Sequence, residues 1–122
     1  MIEAHKCPDG FMILDAGPQA LTSFQGVLAD AETILWNGPL GAFEVPPFDH
    51  FTNALARGAP DLTRQGLAVS IAGGGDTVAA LNGADVADDF TYVSTAGGAF
   101  LEWLEGKPLR GIAALMRAAK AA

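Results

Sequence analysis

Short apolar runs alternate with amphipathic stretches along this chain. Phe11-Met12-Ile13-Leu14, Thr33-Ile34-Leu35-Trp36, the run from Leu67 to Ala72, and Thr91 to Val93 read as four strands. The third is apolar almost throughout, the pattern of a strand buried on both faces. Between the runs lie segments with helical spacing. Asp15-Ala16-Gly17-Pro18 breaks the first run and opens a helix, with Pro18 suited to its first turn. Leu21, Phe24, Val27 and Leu28 share one face of that helix, which ends at Asp30 to Glu32. Val45-Pro46-Pro47-Phe48 excludes helix, because each proline disfavours the α region in the residue before it. The next helix is expected from about Asp49 to Arg57, stopping before Gly58 and Pro60. A short helix follows Asp76, with Val78 and Leu81 inward and Asn82-Gly83 closing it. Another starts near Gly97, carries Phe100, Leu101 and Leu104 on one side, and ends at Gly106 and Pro108. The alanine-rich segment Ile112 to Ala122 is helix-permissive, with Ile112, Leu115 and Met116 as its apolar anchors.

Alternating β and α units predict an α/β chain with a parallel, Rossmann-like sheet in three layers. No linker or charge block divides the 122 residues. Four strands leave a sheet short of cover at its edges, so the chain is expected to be part of a larger fold. Charge narrows the partners. With 7 basic and 14 acidic residues the chain has a formal net charge of −7. It lacks the basic face that nucleic acid requires. Any anion site here must work locally, through backbone N–H groups, a metal ion or basic residues of another segment. The single cysteine, Cys7, excludes an internal disulfide and reads as a reduced structural thiol. Met1 to Lys6 lacks the apolar core of a signal peptide, and no run approaches a membrane span, which predicts a cytoplasmic protein without membrane contact.

Two glycine clusters carry the candidate chemistry. Gly73-Gly74-Gly75-Asp76-Thr77 and Ser94-Thr95-Ala96-Gly97-Gly98-Ala99 each link a strand to a helix. That arrangement aims backbone N–H groups at an anion, although a tight βα turn explains each cluster equally well on its own. Asp76 fits two roles, a helix N-cap or a carboxylate for the magnesium that accompanies a nucleotide. Thr77 by itself reads as a solvated or capping hydroxyl. Asn37-Gly38-Pro39, after the strand ending in Trp36, is either a plain turn or part of the same ligand-binding rim. No Gly-Lys-Ser/Thr follows the glycines, so this is no P-loop, and the dinucleotide fingerprint is absent at the right place. His5 and His50 have no partners at metal spacing, and no nucleophile elbow is present. Trp36 and Trp103 read as core aromatics.

Taken together, five segments resemble the C-terminal part of phosphoglycerate kinase in order and spacing. They are Leu14-Asp15-Ala16-Gly17-Pro18, Trp36 to Glu44, Gly73 to Thr77, Ser94 to Ala99, and Leu101 to Lys107. The resemblance covers nearly the whole chain, and the Trp-Asn-Gly-Pro and Gly-Gly-Gly-Asp-Thr segments together are highly specific. It implies that residues 1–122 form part of the C-terminal nucleotide-binding lobe of a two-lobed, magnesium-dependent glycolytic kinase, implied to be monomeric. That enzyme moves a phosphoryl group between 1,3-bisphosphoglycerate and ADP, giving 3-phosphoglycerate and ATP. Carried over by position, Asn37 contacts the nucleotide phosphates, with Gly38 and Pro39 in the same turn. Glu44 takes the ribose hydroxyls and Leu14 the adenine side. Gly74 and Gly75 shape the phosphate turn, Asp76 meets the nucleotide-bound magnesium, and Thr77 meets phosphate. Gly97 and Gly98 offer backbone N–H groups to the transferring phosphoryl group.

Two positions depart from the family pattern. Ala96 stands where a third glycine is common, and Phe100 where a serine is common. The family's arginine-rich substrate lobe and the first half of its nucleotide lobe, with a glycine-rich turn and a phosphate-contacting lysine, have no counterpart here. The 122 residues alone are therefore expected to lack kinase activity. The alternative, of a different class, is a stand-alone nucleotide-binding or interaction module without catalysis.

Overall fold

A computed structural model describes residues 3–120. The start of the Met1–Lys6 stretch and the end of the helix expected to reach Ala122 lie outside these described residues. The architecture is α/β, with a three-stranded parallel sheet in the order β1-β2-β3. The strands are β1 (Thr33–Trp36), β2 (Val69–Gly73) and β3 (Tyr92–Ser94). Five helices accompany them among the described residues: α1 (Pro18–Ala29), α2 (His50–Arg64), α3 (Gly75–Gly83), α4 (Gly97–Leu104) and α5 (Arg110–Lys120). None is long and apolar enough to cross a membrane.

Register decides which residues share a face. Ile34 pairs with Ser70, Trp36 with Ala72, and Ala72 with Val93, so these point to one side. Against that side pack Leu55, Ala56 and Ala59 of α2, Leu81 of α3, and Phe90. The Phe90 ring meets Trp36 edge-on, 6.4 Å between centroids. Polar atoms within this layer are matched: Thr63 donates to Ser70 Oγ at 2.7 Å, and Ser70 and Thr91 exchange backbone-to-hydroxyl bonds at 3.1 and 3.2 Å. The orphan is the Trp36 indole N–H, buried with no acceptor among the described residues. On the opposite side Leu35, Val69 and Tyr92 are exposed. α4 covers only the carboxyl end of that face, where the Phe100 ring lies against Gly73.

Several sequence expectations are corrected. Phe11 to Leu14 forms no strand: Phe11, Met12 and Ile13 are exposed, and no neighbouring strand pairs with them among the described residues. The Leu14 carbonyl instead accepts the Ala42 N–H at 2.8 Å. The second helix does not stop at Arg57 but runs through Gly58 and Pro60 to Arg64. Its stripe Thr52, Leu55, Ala56, Ala59, Pro60 is buried at i, i+3, i+4, i+7, i+8 spacing. Pro60 forfeits one hydrogen bond to the preceding turn, a cost of about 3 kcal/mol, while each large apolar side chain buried returns about 1.5–3 kcal/mol. β2 is fully buried on one face only; on the other, Val69 is exposed, Ile71 half-buried and Gly73 buried against Phe100. Trp103 is not core: it is 61% exposed and stacks on Phe100 with centroids 6.3 Å apart. α5 forms, yet Ile112, Leu115 and Met116 are exposed rather than buried as anchors. The remaining boundaries follow the sequence closely, including Pro18 at the start of α1 and the close of α4, where the Lys107 N–H bonds back to the Glu102 carbonyl at 2.9 Å.

Candidate functional site

All three strands run parallel, so their carboxyl ends meet at one edge of the sheet. Each end releases a turn: Asn37-Gly38-Pro39 after β1, Gly74-Gly75 after β2, and Thr95-Ala96-Gly97 after β3. This is the edge at which open α/β sheets hold ligands.

Backbone contacts bind the three turns into one rim. Gly74 N–H donates to the Ser94 carbonyl at 3.3 Å. A Cβ at Gly97 would lie 2.5 Å from the Gly74 Cα, so the two glycine turns touch main chain to main chain. Gly74 itself has φ +107°, a left-handed conformation that a side chain strains. On the other flank the Gly38 N–H donates to Thr77 Oγ1 at 2.7 Å. The N-termini of α3 and α4 therefore stand side by side. Neither has a side-chain cap: the N-cap residues are Gly74 and Ala96. Both helices leave N–H groups of their first turns free for an anion.

The sequence-predicted residues fall into two groups. Asn37, Gly38, Pro39, Gly74, Gly75, Asp76, Thr77, Gly97 and Gly98 come together in or next to the rim. Asn37, Gly75, Asp76 and Gly98 are exposed, and Gly38, Pro39, Gly74 and Gly97 half-buried. Leu14 and Glu44 are held nearby through the Leu40–Ala42 loop. The Leu14 carbonyl takes the Ala42 N–H, and a Cβ at Gly41 would meet that carbonyl oxygen at 2.5 Å. Glu44 is exposed beyond the loop and Leu14 half-buried beside it.

Two local expectations change. Asp76 is not the N-cap of α3; Gly74 is, and Asp76 stands exposed in the first turn. Its carboxylate thus adds charge where the helix dipole favours it. Thr77 is neither solvated nor a cap, because its side chain is 1% exposed and its hydroxyl is spent on Gly38. Sequence reading passed over Thr52, whose hydroxyl accepts the Leu40 N–H at 3.0 Å. The signal available was a hydroxyl within the apolar stripe of an amphipathic helix, a position that demands a buried partner. Asp15 was missed too. Its carboxylate accepts the Ala16 N–H at 2.8 Å and the Phe51 N–H at 3.3 Å, tying the α1 entry to the start of α2.

Electrostatically the rim depends on its backbone. None of the Lys or Arg residues lies in the segments 37–44, 74–78 or 94–98. Arg64 is committed elsewhere, held by Asp61 and by Asp89 at 2.6 Å, and these hydrogen bonds raise its guanidinium pKa above the ordinary value. Among the described residues no three His, Cys, Asp or Glu side chains converge on a metal position. A lone exposed carboxylate fits a magnesium ion that keeps water and phosphate oxygens as its other ligands, the usual habit of that ion. An apolar groove of about 440 Å³ begins at Asn37 and Gly38 and runs away from the glycine turns between α1 and β1.

Comparison with known proteins shows what the chain is similar to. The family model described as phosphoglycerate kinase matches residues 1–107. The phosphoglycerate kinase of Dinoroseobacter shibae is 66% identical over 110 residues, which are 90% of this chain and 28% of that protein. That of Sphingopyxis alaskensis is 62% identical over 114 residues, 93% of this chain and 29% of that one. Among solved structures, phosphoglycerate kinase from Coxiella burnetii superposes with a TM-score of 0.71 at 49% identity, covering 78% of this chain and 24% of its own. The Pyrococcus horikoshii enzyme gives 0.77 at 29% identity, covering 91% and 26%. The chain thus spans less than a third of the length of these relatives.

Proposed function

The chain belongs to the phosphoglycerate kinase family, and from that premise we propose that its rim is the nucleotide side of a phosphoryl-transfer site between 1,3-bisphosphoglycerate and ADP. In this reading residues 1–122 are part of the C-terminal nucleotide-binding domain. The observation that carries it is the main-chain contact of Gly74 with Gly97, which sets two uncapped helix N-termini side by side at the carboxyl edge.

The reaction makes little covalent demand on the protein. The bond between the acyl oxygen and phosphorus breaks, a bond from a β-phosphate oxygen of ADP to that phosphorus forms, and a carboxylate departs as 3-phosphoglycerate. Catalysis then consists of holding the phosphates in line and stabilising charge. Asn37, steadied by Gly38 and Pro39, orients the nucleotide phosphates. Gly74, Gly75 and the Thr77 backbone receive them at the α3 N-terminus. Gly97 and Gly98 donate N–H groups to the phosphoryl group in transit. Leu14 lines the adenine side, and Glu44 accepts the ribose hydroxyls. Asp76 would hold magnesium through the nucleotide, whose part when bound is to neutralise phosphate charge. The acidic chain supplies no cation at the rim. The phosphoglycerate and the basic groups that clamp its charge therefore belong to parts of the family fold outside these residues. The setting proposed is cytoplasmic glycolysis.

A calorimetric titration of the 122-residue chain with ADP, with and without magnesium, tests this. Binding is expected only weakly without the metal, and Asp76→Asn should remove about tenfold of the magnesium-dependent gain, the scale of one charge-assisted contact. Equal binding by Asp76→Asn would take Asp76 out of the site. In a coupled assay, turnover of 3-phosphoglycerate and ATP by this chain alone would overturn the division of labour.

A further inference from the structure

The segment Gly38-Pro39-Leu40 has two N–H donors, because proline has none. Each ends on a buried threonine from a different helix. Gly38 N–H donates to Thr77 Oγ1 of α3 at 2.7 Å, and Leu40 N–H to Thr52 Oγ1 of α2 at 3.0 Å. Thr77 is 1% exposed and Thr52 fully buried. Two residues on, the Ala42 N–H is held by the Leu14 carbonyl at 2.8 Å. Three of the N–H donors of this irregular loop, those of Gly38, Leu40 and Ala42, are thus tied to fixed acceptors, while the residue just before them, Asn37, is exposed at the rim.

We propose that Thr52 and Thr77 are positioning residues: their hydroxyls clasp the Asn37–Leu40 turn from two helices and fix how Asn37 is presented to the ligand. Gly38 and Gly41 would otherwise leave this segment free to sample many conformations, and ordering it at the moment of binding weakens binding. The clasp runs through Thr77 to the first turn of α3, whose N–H groups face the same ligand. The turn and the helix terminus are therefore set relative to one another before any ligand arrives. Thr77 divides its labour: its hydroxyl faces inward to Gly38, and its backbone N–H belongs to the uncapped first turn.

Amide hydrogen exchange on the 122-residue chain tests the clasp whatever the turn binds. In the unsubstituted chain the Gly38 and Leu40 amides should exchange slowly. Thr77→Val keeps the shape but removes the acceptor, and should speed Gly38 exchange about tenfold, the effect of losing one hydrogen bond of ordinary net strength. Thr52→Val should do the same at Leu40. Thr77→Ser and Thr52→Ser should keep wild-type protection. Fast exchange at both amides in the unsubstituted chain, or unchanged protection in the valine variants, would overturn the clasp. If a valine variant unfolds, losing protection at Leu81 too, the serine variant decides: a folded serine variant without protection at its amide also overturns it. The consequence for the ligand rests on the proposed function. Mg-ADP should bind Thr77→Val about tenfold more weakly than Thr77→Ser. Equal affinity in the two, with Gly38 deprotected only in the valine variant, would reject the positioning role. Absence of Mg-ADP binding to the unsubstituted chain would instead reject the proposed function and leave the clasp to the exchange data.

Discussion

Alternate residues of the same three strands meet opposite fates. Ile34, Trp36, Ser70 and Ala72 are sealed under α2 and α3, whereas Leu35 and Val69, at alternate positions of the same strands, and Tyr92 of β3 face outward. The sealed side continues into the rim, where turns, helix termini and hydroxyls are hydrogen-bonded to one another. Where β1 has no neighbouring strand among the described residues, the groove beside Phe24 and Val27 is lined both by Leu35 of the open side and by Ile34, Trp36 and Leu55 of the sealed one. Both sides are apolar in sequence; within these residues one is covered along its length and the other only at its carboxyl end, by Phe100 of α4. The chain spans 28% of the Dinoroseobacter shibae relative, so most of the family's polypeptide lies outside it. The contrast teaches that the geometry of the rim is set by local chain crossings, βα turns packed one on another.

The largest expected effect measures this contrast directly. Leu81 is fully buried among α2, α3 and the sheet, and Leu81→Ala should destabilise by about 2–5 kcal/mol in urea unfolding. Leu115, 72% exposed on the outer face of α5, should lose less than about 0.5 kcal/mol on the same truncation. A cost above about 1 kcal/mol at Leu115 would break the comparison, because α5 would then be docked in solution.

The rim allows a sharper version with two adjacent glycines. Gly97→Ala drives a methyl group to 2.5 Å from the Gly74 Cα, and backbone cannot swing aside as a side chain can. Overpacking of this kind costs about 1–3 kcal/mol. Gly98→Ala meets open space and should stay within about 0.5 kcal/mol. Comparable losses at both positions would mean that the two turns do not touch.

Much of this was legible in the sequence, and the failures have one physical origin. Helix starts and strand ends were readable wherever glycine, proline or a short polar residue acts locally, as at Pro18, Trp36 and Gly106. The grouping of the three turns was readable because parallel strands put their carboxyl ends on one edge. What failed depended on partners distant in the chain. Pro60 signals a stop only until the stripe Thr52 to Pro60 finds a core to enter. Phe11 to Leu14 signals a strand only if another strand pairs with it. Trp103 signals burial only if something covers it. The inward turn of Thr77 belongs to the same class, since Gly38, its partner, lies 39 positions away. Apolarity and hydroxyls state a demand, and sequence alone does not say who meets it.

The smallest expected effect falls on the open face. Leu35 sits on an edge strand and is 47% exposed. Leu35→Lys replaces an outward apolar group with a charge, the device natural edge strands use against pairing. At low protein concentration its stability should match the unsubstituted chain within about 0.5 kcal/mol, since the lysine stem can keep the apolar contacts of the half-covered leucine while its ammonium reaches water. At high concentration the two should part. The unsubstituted chain presents a free strand edge beside exposed Leu35, Val69 and Phe24, the combination that promotes association, and sedimentation should reveal species larger than a monomer. The lysine variant should sediment as a monomer across the range. A stability loss at Leu35→Lys that grows with concentration would mean that a second copy already covers this face, because binding to the folded state alone makes apparent stability depend on concentration. In that case the open side is closed by self-association, and the difference between the two sides disappears in solution.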